Sequence, residues 1–161
     1  MSSLYLSVVL PVFNEEESID SLYAELSAAL NGIGKPYEVI FVDDGSTDRS
    51  LERLSDLQAR DSRVVVIEFR RNFGQTAALA AGLRYARGEV VVTLDADRQN
   101  DPSDIPLLLD EIDHGMDLVC GWRHDRKDGF WLRLLPSRIA NWLISTTTDV
   151  KLHDYGCTLK A

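Results

Sequence analysis

The strongest constraint on the fold of this chain is the alternation of continuous apolar runs with segments of helical periodicity. Five runs are short enough to be strands, and they lie near residues 6–12, 37–43, 64–69, 89–95 and 117–121. Several are apolar throughout, as is typical of strands buried on both faces. The β–α–β–α order predicts an α/β fold, a mostly parallel sheet flanked by helices, with right-handed crossovers.

Four helices are expected between these strands. The first should begin after Asn14 as its N-cap and end near residues 31–32. The third should span residues 76–86, and the fourth should begin at Asp101, with Pro102 in its first turn. The apolar positions that predict the first two helices are Ile19, Leu22, Tyr23 and Leu26, followed by Leu51, Leu54 and Leu57.

Carboxylates follow three of the predicted strands, at the point where each strand ends. Asp95 and Asp97 come after the fourth strand, Asp43 and Asp44 after the second, and Glu15 soon after the first. Ligands of open parallel sheets bind beyond the carboxyl ends of the strands, so these side chains should face one pocket. Clustered carboxylates repel one another unless a cation compensates, and their oxygens suit Mg²⁺ or Mn²⁺. A lone Asp-x-Asp also occurs in ordinary turns.

Composition limits the classes of function. With 161 residues, of which 45% are hydrophobic, we expect one domain covering 1–161. The net charge of −9 argues against nucleic acid as a partner. Residues 123–138 are the exception, with five Lys or Arg against two Asp or Glu. They suggest an anionic ligand or surface, although a solvated helix face is the simpler reading for any single Arg.

Several common sites are missing from the sequence. It contains neither the Gly-rich dinucleotide fingerprint nor a P-loop, and it has no nucleophile elbow. The three histidines lie in unrelated contexts, and Cys120 and Cys157 are too few for a disulfide framework or a zinc site. No run reaches the ~18 apolar residues of a membrane-spanning helix. The last residues carry no turn or cap signal, so we expect a catalytic domain truncated at its C-terminal end.

Three ordered motifs together resemble the inverting glycosyltransferases of family two, which have the GT-A fold. They are Ser7–Glu16, Val42–Asp48 and Asp95–Gln99. Two further stretches, Arg71–Gln75 and His153–Ala161, look like the polyprenyl-phosphate sugar transferases of the dolichol-phosphate mannosyltransferase and undecaprenyl-phosphate aminoarabinose transferase type. The resemblance covers nearly the whole chain and implies transfer of a sugar from a nucleotide-sugar donor to a polyprenyl-phosphate acceptor with a divalent metal.

The resemblance also implies roles for individual residues. The nucleotide-binding residues would be Pro11, Phe13, Glu15, Asp43, Asp95 and Ala96. Asp95 and Asp97 would be the catalytic pair at the donor diphosphate, and the metal ligands would be Asp97 and Gln99 with Asp95. Asp44 would support its loop instead of touching ligand. Phe13 stands where the family usually has Tyr, and Arg98, where Leu is frequent, puts a cation between two expected metal ligands.

The acceptor phosphate is expected at four residues of the basic stretch, namely Arg123, Arg126, Ser137 and Arg138. The aromatic and apolar residues around them suit a membrane surface or packing against the sheet. The resemblance therefore implies a location on the cytoplasmic face of a membrane, with an anchor beyond residue 161. A family-two transferase with a saccharide acceptor and a non-catalytic sugar-nucleotide-binding module remain as alternatives.

Overall fold

The computed structural model describes residues 4–121 and 158–161. Four strands form a parallel sheet, and they are β1 (Leu6–Val12), β2 (Tyr37–Asp43), β3 (Val64–Glu68) and β4 (Val90–Thr93). Their order across the sheet is β3-β2-β1-β4, with β1 at the centre between β2 and β4. The predicted bounds of β1 and β2 are confirmed. All seven residues of β2 are buried, which accounts for its uninterrupted apolar sequence.

Helices cover both faces of the sheet. They are α1 (Ile19–Ile33), α2 (Ser50–Arg60), α3 (Gln75–Tyr85) and α4 (Ile105–Asp113), with a 3₁₀ turn at Pro102–Asp104 before α4. Buried leucines and isoleucines of α1, α2 and α4 share one core with the side chains of β1 that point to that face. Ala78 of α3 packs on the opposite face, against Val9, Ile40 and Val42. The expected mostly parallel α/β sheet is confirmed.

The start of α1 differs from the prediction. Asn14 does not cap the helix; its backbone is left-handed, with φ of 56°, and α1 begins only at Ile19. The side chain of Asn14 is engaged elsewhere, because its Oδ1 accepts a hydrogen bond from the Thr47 N–H at 2.8 Å. The helix also runs past residues 31–32 and ends at Ile33, where Gly34 takes the left-handed conformation that closes it.

The predicted strand at 117–121 is also wrong in extent. Among the described residues this segment forms one isolated bridge, in which Cys120 pairs antiparallel with Lys160. Lys160 pairs antiparallel with Thr93 on its other side. The segment 158–161 therefore lies between β4 and residues 119–121. The described residues therefore show an isolated bridge at Cys120 in place of the strand expected at 117–121.

A polar cluster joins β1, β2 and the turn before β4 at the amino ends of the strands. Buried Glu38 accepts hydrogen bonds from the Ser7 hydroxyl at 2.7 Å and from the Arg87 N–H at 2.9 Å. The Arg87 guanidinium donates to the same carboxylate at 3.0 Å. Burial alone raises the pKa of the Glu38 carboxyl, but these hydrogen bonds outweigh it and hold that pKa below its usual value. Charge-assisted contacts thus fix the edge of the sheet at the amino ends of the strands, opposite the edge at their carboxyl ends.

Candidate functional site

A cavity of about 330 Å³ opens at the carboxyl ends of β1, β2 and β4. It is the edge at which open parallel sheets bind ligands. Of the residues to which the resemblance assigns nucleotide or metal binding, six line it, and they are Pro11, Phe13, Glu15, Asp95, Ala96 and Asp97. The wall is completed by Val12, Asp44, Asn72, Gly74 and Gln75. The structure therefore gathers at one cavity residues that are up to 86 positions apart, from Pro11 to Asp97.

The cavity wall is acidic. Its charged lining residues are Glu15, Asp44, Asp95 and Asp97, and no Lys or Arg in the described part of the chain lines it. Four carboxylates around one opening create a negative potential that favours a cation, or a ligand that brings one. Phe13 adds an apolar face at the rim, since 44% of its surface is exposed. The arrangement suits a ligand with a flat ring at one end and a metal-bound anion at the other.

Asp43 and Asp44 take different positions although they are neighbours. Asp44 borders the cavity, and its two carboxylate oxygens accept the N–H groups of Phe73 at 2.7 Å and Gly74 at 2.9 Å. Asp43 is not among the described lining residues; it is 1% exposed. Its Oδ2 accepts the Ser46 N–H at 3.2 Å, whereas its Oδ1 has no hydrogen-bond partner among the described residues. A buried carboxylate oxygen of this kind is costly unless a ligand satisfies it.

Gly45 allows the loop after β2 to touch the loop after β3. Its φ is +70°, and a Cβ there would lie 2.4 Å from the carbonyl carbon of Arg71. Any side chain would therefore push the two loops apart. Together with the bonds from Asp44, this close approach places residues 72–75 at the cavity.

The loop after β1 is tied to the loop after β2 by reciprocal hydrogen bonds. The Asn14 N–H donates to the Ser46 hydroxyl at 3.0 Å, and Asn14 in turn accepts from Thr47. The Glu15 N–H donates to the hydroxyl of buried Ser50 at 2.8 Å, and Ser18 donates to the Glu15 carboxylate at 3.0 Å. Glu15 is thus held at the cavity by Ser18 of its own loop and by Ser50 at the start of α2.

Asp95 and Asp97 follow β4 and differ in their contacts. The Asp95 carboxylate accepts a hydrogen bond from the Gln75 side-chain amide at 2.6 Å and another from the Thr158 hydroxyl at 2.6 Å. Asp97 is exposed, and its Oδ1 accepts the Gln99 N–H at 3.0 Å, which folds the loop into a tight turn. Gln99 is also exposed and is not among the described residues that line the cavity.

Arg98 turns away from this pair of aspartates. Its backbone is left-handed, with φ of 60°, and its guanidinium forms an ion pair with Glu25 of α1. The cation that the sequence puts between Asp97 and Gln99 is therefore paired with a carboxylate of α1, which contributes none of the described cavity-lining residues. Both partners are about half exposed, so the pair contributes little to stability, ~0–1 kcal/mol.

The sequence profile described as "Glycosyl transferase family 2" matches residues 7–158. The chain belongs to glycosyl transferase family 2. That span contains β2, β3 and β4, all of β1 except Leu6, and every described residue that lines the acidic cavity.

Two named proteins are similar to this chain over nearly its whole length. The chain is 48% identical over 162 residues to dodecaprenyl-phosphate galacturonate synthase of Rhizobium johnstonii, covering 99% of this chain and 48% of that protein. It is 46% identical over 158 residues to undecaprenyl-phosphate 4-deoxy-4-formamido-L-arabinose transferase of Edwardsiella ictaluri, covering 98% of this chain and 48% of that protein. The chain thus spans about half the length of the curated relatives it matches.

Solved structures share the fold. Glucosyl-3-phosphoglycerate synthase from Mycobacterium tuberculosis, in complex with Mn²⁺, UDP and phosphoglyceric acid, superposes with a TM-score of 0.70 at 23% identity, over 98% of this chain and 55% of that one. S. aureus TarS 1-349 in complex with UDP gives a TM-score of 0.59 at 24% identity, over 81% of this chain and 40% of that one. The expected GT-A fold is confirmed.

The family 2 cavity has a donor set that fits a divalent ion. Within residues 4–121 and 158–161 no three His, Cys, Asp or Glu side chains form a metal-binding group. Mg²⁺ takes only one or two protein carboxylates and completes its coordination with water and phosphate oxygens. Asp95 and Asp97, both at the cavity, supply that number.

Some of the expected site residues lie outside the described residues. These are Arg123, Arg126, Ser137 and Arg138. Of the helices that the structure describes, none is long and apolar enough to cross a bilayer.

Sequence reasoning missed Gln75 and Thr158 as neighbours of Asp95. Both lie inside stretches that resemble the polyprenyl-phosphate transferases, Arg71–Gln75 and His153–Ala161, so a signal was present. The role of each could not be read from that signal, because their contacts with Asp95 span 20 and 63 positions.

Proposed function

We propose that this chain is the donor-binding part of a transferase that moves a sugar from a nucleotide sugar to a polyprenyl phosphate, with inversion at the sugar and a divalent metal. The observation that carries the proposal is the cavity with four carboxylates at the carboxyl ends of the strands. Relatives 48% and 46% identical bear the names of a dodecaprenyl-phosphate galacturonate synthase and an undecaprenyl-phosphate formamidoarabinose transferase. Together they favour a lipid phosphate as the acceptor.

The nucleoside half of the donor would occupy the side of the cavity formed by β1 and β2. Phe13 offers an exposed ring on which a base can stack, beside Pro11. Glu15, held by Ser18, can accept a hydrogen bond from a ribose hydroxyl. Oδ1 of Asp43, which has no hydrogen-bond partner among the described residues, can accept a hydrogen bond from a ring N–H of the base.

The diphosphate half would lie against β4. Asp95, Ala96 and Asp97 line that side, and Asp97 with Gln99 and Asp95 would hold Mg²⁺ or Mn²⁺. A divalent ion supplies Lewis-acid stabilisation of the negative charge that builds on the leaving diphosphate. Asp95 keeps its position through Gln75 and Thr158, and the turn at Asp97 keeps Gln99 beside it. These residues orient the leaving group and hold no proton for it.

The acceptor would be an ionised phosphate, which needs no strong general base. Arg123, Arg126 and Arg138, with Ser137, would bind it, since guanidinium groups match phosphate oxygens in geometry and charge. A polyprenyl acceptor resides in a bilayer, so the chain would work at a membrane surface, on its cytoplasmic side. The basic stretch at residues 123–138 and the names of the relatives support a polyprenyl phosphate as the acceptor.

Direct detection of the lipid product tests the proposal. The full-length protein that carries this chain would be incubated with undecaprenyl phosphate, Mn²⁺ and a panel of nucleotide sugars, and the lipid fraction analysed by mass spectrometry. We expect a glycosyl phosphate lipid with the wild type and with Asp56→Asn, whose side chain is exposed on α2 and is not among the described residues that line the cavity, but not with Asp97→Asn. Transfer to a saccharide instead would favour the alternative acceptor class. Donor binding with no transfer to any acceptor would favour a non-catalytic module.

A further inference from the structure

Arg98 is an isolated cation in an acidic part of the chain. Residues 88–122 contain nine Asp or Glu and a single Lys or Arg, which is Arg98. It directly follows Asp97 at the cavity, and its guanidinium forms an ion pair with Glu25 of α1. The two side chains are 46% and 48% exposed, so the pair adds little to the stability of the fold. What the pair decides is which carboxylate the guanidinium neutralises.

The loop that carries Arg98 lies beside α1. The backbone of Arg98 has a φ of 60°, a left-handed conformation that residues with a Cβ seldom adopt. The Gln99 N–H closes the turn by donating to Oδ1 of Asp97 at 3.0 Å. Ala96 shares the core with buried leucines of α1, the helix on which Glu25 lies. The ion pair therefore joins two elements whose relative position the core already fixes.

Without Glu25, the acidic cavity would compete for the guanidinium. Asp97 is the preceding residue, and neighbouring Cα atoms lie about 3.8 Å apart. Four carboxylates line the cavity, with no Lys or Arg among the described lining residues, so its negative potential attracts a released cation. A guanidinium paired with Asp97 would have to be displaced before that carboxylate could bind a divalent ion. The cation and the metal thus compete for the same carboxylate.

We propose that Glu25 is a positioning residue of the donor site: it holds Arg98 on α1 and so keeps the Asp97 carboxylate available to a metal-bound diphosphate. The inference rests on the proposed function, because it concerns the metal at that site. It explains how a cation is accommodated next to an expected metal ligand. A neutral residue at position 98 would need no such partner, so the effect of losing Glu25 should depend on Arg98.

The test is a double-mutant cycle on the ion pair. It uses Glu25→Gln, which releases the guanidinium, Arg98→Met, which removes the charge and keeps an unbranched side chain, and the double variant. The matched control is Glu52→Gln, which breaks an ion pair of similar exposure with Arg49 at the start of α2. Titration calorimetry would measure the affinity of each for UDP, GDP, CDP and ADP, first with Mn²⁺ and then with EDTA.

With Mn²⁺, Glu25→Gln should weaken nucleoside diphosphate binding by about fivefold, the upper limit of what an exposed guanidinium–carboxylate pair contributes. In EDTA its affinity should equal or exceed that of the wild type, because a released guanidinium also attracts the bare diphosphate. Arg98→Met should bind as tightly as the wild type or more tightly. The double variant and Glu52→Gln should stay within about twofold of the wild type in both conditions.

The response to Arg98→Met separates this role from a simple fastening of the loop. If the ion pair only fastened the loop to α1, either single change would weaken binding and the double variant would not recover it; that result overturns the inference. Unchanged affinity of Glu25→Gln with Mn²⁺ does so too, as do equal losses in Mn²⁺ and EDTA. A wild type that binds none of the four nucleotides contradicts the proposed function itself, and the inference with it.

Discussion

Removing the Asp44 carboxylate should release the loop that follows β3 and lower the free energy of unfolding. Asp44 is buried and accepts two backbone N–H groups, at 2.7 Å from Phe73 and at 2.9 Å from Gly74. Each hydrogen bond to a charged group contributes about 1.5–3 kcal/mol, so Asp44→Ala loses about 3–6 kcal/mol if nothing replaces them. Phe73 is 55% exposed, which lets water reach the freed N–H groups, and we therefore expect the lower end, about 3 kcal/mol.

Asp44→Asn should cost about half as much. The Asn side chain keeps one oxygen acceptor, whereas its NH₂ group meets the second N–H without a bond, so one of the two contacts is lost, about 1.5 kcal/mol. This graded series distinguishes lost hydrogen bonds from a general disturbance of packing, because Asn matches Asp in size.

Urea unfolding measures the effect. With a slope of about 1–3 kcal/mol per molar for a small domain, Asp44→Ala should lower the midpoint by about 1–3 M and Asp44→Asn by about half of that. Asp56→Ala, a change of an exposed carboxylate in α2, is the control and should leave the midpoint almost unchanged. The reasoning fails if Asp44→Ala unfolds at the same urea concentration as Asp56→Ala, or if Asp44→Asn costs as much as Asp44→Ala.

Four further predictions follow from the site and the core. Asp97→Asn should weaken nucleoside diphosphate binding when Mn²⁺ is present and have little effect in EDTA; equal affinities of variant and wild type in Mn²⁺ would remove Asp97 from the metal site. Asp43→Ala should weaken binding by about 1.5–3 kcal/mol with or without metal, and a loss seen only with metal would reject its role at the base. Arg126→Ala or Arg138→Ala should raise the polyprenyl phosphate concentration needed for transfer while donor affinity stays within about threefold; unchanged kinetics would make both ordinary surface residues. Because hydrogen bonds hold the folded-state pKa of Glu38 below the ordinary value of a glutamate carboxyl, its contribution to stability is fully present well above that ordinary value and is lost as the pH falls through the folded-state pKa, so Glu38→Gln should flatten the acid limb of a stability-against-pH curve.

The parts of the fold that could be predicted from the sequence are those with a local cause. Continuous burial on both faces gives β1 and β2 apolar runs with sharp ends, and the bounds of both strands were correct. Gathering of the acidic residues also follows from a local rule, since the carboxyl ends of parallel strands share one edge. As this rule predicts, Glu15, Asp95 and Asp97 line the same cavity.

The errors and omissions have distant causes. Asn14 has the chemistry of a helix cap, but its side chain serves Thr47, which lies 33 positions along the chain. The hydroxyl of Thr158 reaches Asp95 across 63 positions only because the segment 158–161 pairs with β4. Likewise, Asp43 and Asp44 look equivalent in sequence but differ in their contacts. The loop after β3 lies against Asp44, whose carboxylate anchors it, whereas Oδ1 of Asp43 has no partner within the described part of the chain.

The most direct test of the central claim is the affinity of this chain for nucleoside diphosphates, measured by titration calorimetry with Mn²⁺ and again with EDTA. The account predicts that at least one of UDP, GDP, CDP and ADP binds at the acidic cavity, that Mn²⁺ strengthens the binding, and that Asp97→Asn abolishes this gain. If none of the four binds in the presence of Mn²⁺, or if the binding is indifferent to both Mn²⁺ and Asp97→Asn, the cavity is not a metal-assisted donor site.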